Sequence, residues 1–343
     1  MNQSRTTIKD IAQECGVSLS TVSLVLNDNP RISEKTRQKV QEAVRRHGYQ
    51  PNQQARGLAS KSSRIMSVVV PNLNHVFSDV YFGEILNGIH DRATEADYKL
   101  LLDVANEKFL ANKDYLNIIR SRRADGMLFI ASSIQDTYLR DMEDLQLPFI
   151  LVNHYYPNSN LSYISVDYKQ SAQLAAEHLL SLGHKRIGLI AGTNTYTGLD
   201  FRDAFLAHCR QKGIPESDLP WEDGGLQWSQ EGGFQAAKKL LERRPDLTAI
   251  MAANDRMAMG VISYAHGQGR RVPQELSVMG VDNIPSAPFT SPALTTIKHD
   301  LFEVGRRSFD RLHAMFKKEL SDHQEILPVE LLARESTGPA PSA

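Results

Sequence analysis

From Ile65 onward the chain repeats one pattern that few folds can satisfy. Short apolar runs, "IMSVVV", "KLLLDV", "GMLFIA", "PFILV", "YISV", "RIGLIA", "AIMAA" and "SVMGV", alternate with longer stretches of helical periodicity. Runs of four to six residues suit strands and are too short for buried helices. The stretches around 80–96, 109–122, 136–145, 168–182, 199–212, 229–243 and 255–267 predict helices. Strand followed by helix, repeated, implies parallel sheets covered on both faces. The pattern is too long for one sheet and divides near 162. This predicts two lobes, about 65–162 and 163–290, completed by "LTTIK", a helix over 301–318 and the strand after it.

Open sheets of this kind bind ligands at the carboxyl ends of their strands. Asn153 follows "PFILV", Asn254 and Asp255 follow "AIMAA", and Asp282 follows "SVMGV". Arg202 is expected near the start of the helix after "RIGLIA". Two lobes facing one another would bring these polar groups to one cleft.

The first residues are built differently. In "TIKDIAQECGVSLSTVSLVLN", Thr7 can cap a helix whose apolar positions are Ile8, Ile11, Ala12 and Cys15. Gly16 fits the left-handed residue that ends it. Ser18 can cap a second helix, with Val22, Val25 and Leu26 on its buried side. Leu19, Ser20, Thr21, Ser23, Leu24 and Asn27 share the rest of its surface. A third helix follows Ser33, buries Val40, Ala43 and Val44, and stops at Gly48 and Pro51. None of the three is long enough to stand alone, so they must bury one another's stripes. Residues 1–64 hold 11 Lys and Arg against five Asp and Glu, a net +6, and the remainder carries −7. A basic head on an acidic body points to a polyanionic partner. The arrangement is that of a helix-turn-helix, whose second helix enters the major groove.

These segments, with "ISEKTRQKVQEAVRRHGYQPNQQARGLA", "HLLSLGHKRIGLIAG", "AANDRMAMG", "SVMGVDN" and "PALTTIKHD", resemble the LacI/GalR family of bacterial transcription regulators over nearly the whole chain. The resemblance implies an N-terminal all-α helix-turn-helix head (1–51), a hinge helix and linker (52–64) and an α/β body (65–343). The body would be two-lobed, with parallel sheets covered by helices, as in the type I periplasmic binding-protein fold. It further implies a homodimer on near-palindromic double-stranded operator DNA, acting as a repressor controlled by a small-molecule effector.

Carried onto this chain, the family pattern makes Leu19 and Ser20 the base readers. Ser18, Thr21, Ser23 and Asn27 would mainly fix register on phosphate and nearby base edges, and Thr7 is a further DNA-binding candidate. Most members have arginine where this chain has Leu24, which can offer only apolar contact, for instance to a thymine methyl. In the hinge, Asn52, Ala55 and Arg56 accompany Leu58, which occupies the position of the leucine that wedges between central base steps. Arg202, Asn254 and Asp282 match effector-holding positions, and Trp228 one where some members stack an aromatic on a sugar face. Tyr81, Phe82 and Asn153 are further wall candidates. A carbohydrate is the family-level expectation for the effector; a nucleobase or another metabolite stays open.

Other chemistries find no support. Phosphate-loop, dinucleotide-binding and nucleophile-elbow motifs are absent. His75, His154, His178 and His184 lack metal-ligand spacing and read as surface or satisfied histidines, while Asp79 and Glu84 read as solvated helix positions. No cofactor is expected. Two distant cysteines, Cys15 and Cys209, suit a reducing compartment rather than a disulfide framework. No run approaches the length of a membrane span. No signal peptide is apparent, so a cytoplasmic protein is expected and an exported solute receptor is disfavoured.

Overall fold

A computed structural model describes residues 6–26, 29–49, 62–317 and 324–341. The chain forms two compact units, Met1–Ser63 and Arg64–Ala343.

The first unit holds three helices, α1 (Ile8–Cys15), α2 (Leu19–Leu26) and α3 (Glu34–Arg46). Asp10 closes the start of α1, accepting from the Thr7 amide and hydroxyl at 2.8 Å each. Gly16 ends it at φ +59. The Ser18 hydroxyl accepts from the Thr21 amide at 3.1 Å and so caps α2. Ser33 caps α3 through the Thr36 amide. Ile11, Ala12, Cys15, Val22, Val25, Val40 and Ala43 form the shared core. Leu26 and Val44 pack at its edge, half-buried rather than central. Glu14 on α1 pairs with Arg46 of α3 at 2.9 Å.

The second unit contains two six-stranded sheets. The first is built from β1 (Ile65–Pro71), β2 (Lys99–Ala105), β3 (Gly126–Ile130), β4 (Phe149–Val152), β5 (Tyr163–Val166) and β11 (Gln324–Leu327), all paired in parallel in the order β11-β5-β4-β3-β1-β2. The second is built from β6 (Ile187–Ala191), β7 (Trp221–Asp223), β8 (Ala249–Ala252), β9 (Ser277–Asp282) and β10 (Thr295–Lys298), which are parallel, and an antiparallel β12 (Glu330–Leu332). Its order is β12-β10-β9-β8-β6-β7. The central strands are apolar runs buried on both faces, as parallel sheets require.

Helices α4 (Val80–Glu95), α5 (Glu107–Ala111), α6 (Asp114–Arg120), α7 (Tyr138–Asp144) and α12 (Leu301–Lys317) belong with the first sheet; α8 (Tyr168–Ser181), α9 (Tyr196–Gln211), α10 (Gln230–Arg243) and α11 (Asp255–Gly267) belong with the second. The helix expected over 109–122 is two helices, broken at Asn112 and at Lys113, whose φ is +52. Asn117 Nδ2 donates to the Asn112 carbonyl that the break releases. The division between lobes falls after β5, not near 162, because β5 pairs with β4. The chain passes between lobes three times: after β5, between β10 and α12, and between β11 and β12.

Each lobe contains a helix pair in backbone contact. A Cβ on Gly88 of α4 would lie 2.0 Å from the Phe302 carbonyl oxygen, and one on Gly305 of α12 would lie 2.2 Å from that of Ile85. In the other lobe, Gly233 of α10 and Gly260 of α11 would meet the Met257 and Gln230 carbonyl oxygens at 2.2 and 2.1 Å. Glycine is required there because no side chain fits between the helices.

Candidate functional sites

In the head, α2 carries no charged residue. Its exposed side presents Leu19, Ser20, Ser23 and Leu24, with Thr21 half-buried beside them. Ser18 Oγ lies 2.7 Å from Ser20 Oγ and 2.8 Å from Thr21 Oγ1, so three hydroxyls share one short network at the start of the helix. Thr7 is exposed at the start of α1. The loop before α3 and α3 itself supply Arg31, Lys35, Lys39, Arg45 and Arg46, all exposed. A polar helix face on a unit with exposed cations suits a groove and its phosphates. Asn27, Asn52, Ala55, Arg56 and Leu58 lie outside the described residues.

In the body, the carboxyl ends of both sheets face a cleft of about 350 Å³, within the usual size range of small-molecule sites. Tyr81, Phe82, Asn153, Trp228, Asn254 and Asp282 all line it. Tyr81 stands edge-on to Phe82, with ring centroids 5.1 Å apart. Asn153 follows β4 at φ +56, and its Nδ2 donates to the Tyr81 hydroxyl at 2.9 Å. Trp228 leans on backbone: a Cβ at Gly192 would sit 2.2 Å from its ring, and Asn194 Oδ1 accepts from its Nε1 at 2.7 Å. Asn254 is occupied at both ends of its amide. Its Oδ1 accepts from the Met257 amide at 2.8 Å, capping α11, and its Nδ2 donates to the Trp228 carbonyl at 2.9 Å. Asn254 therefore positions the wall.

Asp282 is buried at the end of β9, and burial with the nearby Asp79 pushes its carboxyl well above the usual range. Its Oδ1 lies 3.2 Å from His299 Nδ1, and His299 Nε2 lies 2.9 Å from Ser171 Oγ. Asp255, next to Asn254, does not reach the cleft lining. It accepts from Thr296 Oγ1 at 2.6 Å and the Ile284 amide at 2.8 Å, joining α11 to the sheet.

Arg202 is a correction. It does not line the cleft. It lies well inside α9, paired with Asp203 at 2.8 Å and stacked over Trp221 at 4.9 Å. The face of α9 that bears Thr197, Phe201 and Phe205 is the one turned inward.

Asp79 and His154 also correct the expectations, and Asp136 is a cleft residue that the sequence reading missed. Asp79 is no solvated helix position: it caps α4 through the Tyr81 amide at 3.1 Å, and its side chain is 9% exposed. Its Oδ2 pairs with Arg256 of α11 across the cleft. Burial raises its pKa and Arg256 opposes the rise. Asp136 lines the cleft as well, accepts from the Ser133 amide at 2.7 Å, and is raised by burial. His154 is neither exposed nor satisfied. Its Nδ1 lies 3.2 Å from the Val152 carbonyl, its Nε2 has no partner among the described residues, and burial holds its pKa down to about 4. By contrast His184 is buried and bonded to Thr248 and Ser277, and His75 is exposed, as expected. His154 sits one residue past Asn153 at the carboxyl end of β4, so the strand-end rule that selected Asn153 reaches it too.

A three-helix head and a two-lobed α/β body with a polar, aromatic-walled cleft define a DNA-binding regulator. Residues 7–52 match the model for bacterial regulatory proteins of the lacI family, and residues 155–337 match that for a periplasmic binding protein-like domain. Catabolite control protein A of Priestia megaterium is 31% identical over 96% of this chain and 99% of its own. The HTH-type transcriptional regulator DegA of Bacillus subtilis is 32% identical over 98% and 99%, and the HTH-type transcriptional repressor CytR of Escherichia coli 31% over 98% and 97%. Among solved structures, the lac repressor dimer bound to operator and the anti-inducer ONPF superposes with a TM-score of 0.86 at 27% identity, over 98% of this chain and all of that one. The chain belongs to the LacI family. It is a transcription regulator and not an enzyme.

Proposed function

We propose that this regulator is a homodimeric repressor that holds a near-palindromic double-stranded operator in the cytoplasm and changes its grip when a carbohydrate effector fills the cleft. The observation that supports the effector class best is the lining. Aromatic walls from Tyr81, Phe82 and Trp228 stand beside Asp282, Asn153 and several further amides, which suits a ring with apolar faces and hydroxyl edges. Among the described residues no helix is long and apolar enough to cross a membrane. Leu19 and Ser20 read base edges; Thr7, Ser18, Thr21, Ser23 and Asn27 fix register; Asn52, Ala55, Arg56 and Leu58 enter the minor groove. Tyr81, Phe82, Asn153, Trp228 and Asp282 hold the effector, with Asn254 positioning the wall.

The effector can move DNA affinity only by its differential affinity for two arrangements of the protein, typically about 1–3 kcal/mol. Binding selected from random duplex DNA, titrated against salt with and without a sugar panel, tests the reading. Affinity should fall steeply as salt rises, because neutralised phosphates release counterions, and one sugar should shift the curve. Duplex binding that ignores salt, or a sugar that binds the body without shifting it, counts against the proposal.

Leu24 makes a second expectation. Leu24→Arg should introduce a preference for guanine at one position of each half-site, worth about 1–3 kcal/mol of discrimination. Selection experiments that return the same half-site for both proteins would show that position 24 does not face the bases.

A further inference from the structure

We propose that the cleft is built for an uncharged, hydroxyl-rich ligand and rejects its phosphorylated counterpart, with Asn153 Oδ1 and His154 Nε2 as the acceptor pair that selects it. This deepens the carbohydrate reading above and rests on it.

The charge inventory comes first. Among the described residues lining the cleft, Asp79, Asp136 and Asp282 carry carboxyl groups and Arg256 is the one side chain with a fixed positive charge. Arg256 is already paired with Asp79. A phosphoryl group entering here would give up its water with no unpaired cation among these residues to replace it.

The unpaired atoms point the same way. Asn153 and His154 are 1% and 2% exposed, and both line the cleft. The Val152 carbonyl facing His154 Nδ1 can only accept, so Nδ1 carries the proton and Nε2 presents a lone pair. Asn153 spends its Nδ2 on the Tyr81 hydroxyl, which leaves Oδ1 as an acceptor. Neither atom has a partner among the described residues. Two acceptors on consecutive residues at the end of one strand call for two donors. Hydroxyls of a sugar or polyol supply them, whereas a phosphate dianion supplies none. Trp228, fixed by Asn194 and by the close approach of Gly192, offers a flat apolar surface for the carbon face of such a ring.

The test is thermal shift followed by calorimetry on the full chain, using free pentoses, hexoses and disaccharides, each beside its monophosphate. A free sugar should raise the melting temperature, and its phosphate at equal concentration should not. His154→Phe keeps the ring and removes both nitrogens; it should weaken that sugar by about tenfold or more, as loss of a buried hydrogen bond does, while the unliganded protein melts near the wild-type temperature. A phosphorylated sugar that binds as tightly as its free form overturns the proposal but leaves an effector cleft in place. Unchanged affinity in His154→Phe overturns the role of the acceptor pair. Stabilisation by no member of the panel, free or phosphorylated, sinks the carbohydrate reading and this proposal with it.

Discussion

Gly305→Val is expected to cost at least about 4 kcal/mol of stability, a magnitude reserved for overpacked or broken cores. A Cβ at this position would lie 2.2 Å from the Ile85 carbonyl oxygen and 3.0 Å from the Ile89 amide nitrogen. Both obstacles are backbone, so no rotamer change relieves the clash. Helices α4 and α12 must separate instead, and the packing of Ile85, Ile89, Val304, Phe309 and Leu312 opens with them. Gly88, facing the Phe302 carbonyl from the other side, leaves no room for compensation. Gly267 is the control. It closes α11 with open space around its Cβ position and no positive φ, so Gly267→Ala should be neutral or stabilise by up to about 1 kcal/mol. Chemical denaturation of the two variants checks the pair. A Gly305→Val protein that unfolds at the wild-type midpoint would show that the helices do not touch.

A growing stability margin of His154→Phe over the parent protein is expected as the solution is acidified. Burial holds the His154 pKa down to about 4, against 6.5 for an exposed histidine. The unfolded chain therefore takes up the proton first as pH falls. The favourable contribution of neutral His154 is complete above about pH 6.5 and is lost progressively down to about pH 4. The loss totals on the order of 3 kcal/mol, at about 1.36 kcal/mol per unit. His299, held down to about 3, acts in the same direction, while the buried acids Asp255 and Asp282, with raised pKa values, oppose it. The difference between parent and variant cancels those shared groups. Denaturant midpoints at several pH values between 4 and 7 should therefore diverge toward acid. A constant difference across that range would mean that His154 meets water in the folded state.

The architecture was legible because its signal is repeated and local. Eight apolar runs became strands β1 to β6, β8 and β9; all but the edge strand β2 are largely buried, which demands hydrophobic residues. Strands β7 and β12 have three residues each, too few to show any period. The cleft was legible to the extent that strand ends decide it, which brought out Asn153, Asn254 and Asp282. Arg202 failed because the phase of a helix, not its place in the chain, decides where a side chain points. One residue after buried Phe201, Arg202 is rotated by about 100° and meets Trp221. Asp79 failed for a related reason: a capping carboxylate looks like a solvated one until its partner, Arg256, arrives from 177 positions away.

The threefold passage between lobes has a consequence for synthesis. The first sheet lacks its edge strand β11, and α4 lacks the glycine-bearing partner that covers it, until residues 301–327 have left the ribosome. A nascent chain halted near residue 300 would hold a nearly finished second sheet beside a first lobe with its greasy flank bare. Early termination should yield a chaperone client rather than a smaller working receptor, and cutting this gene at the lobe boundary cannot separate the two halves.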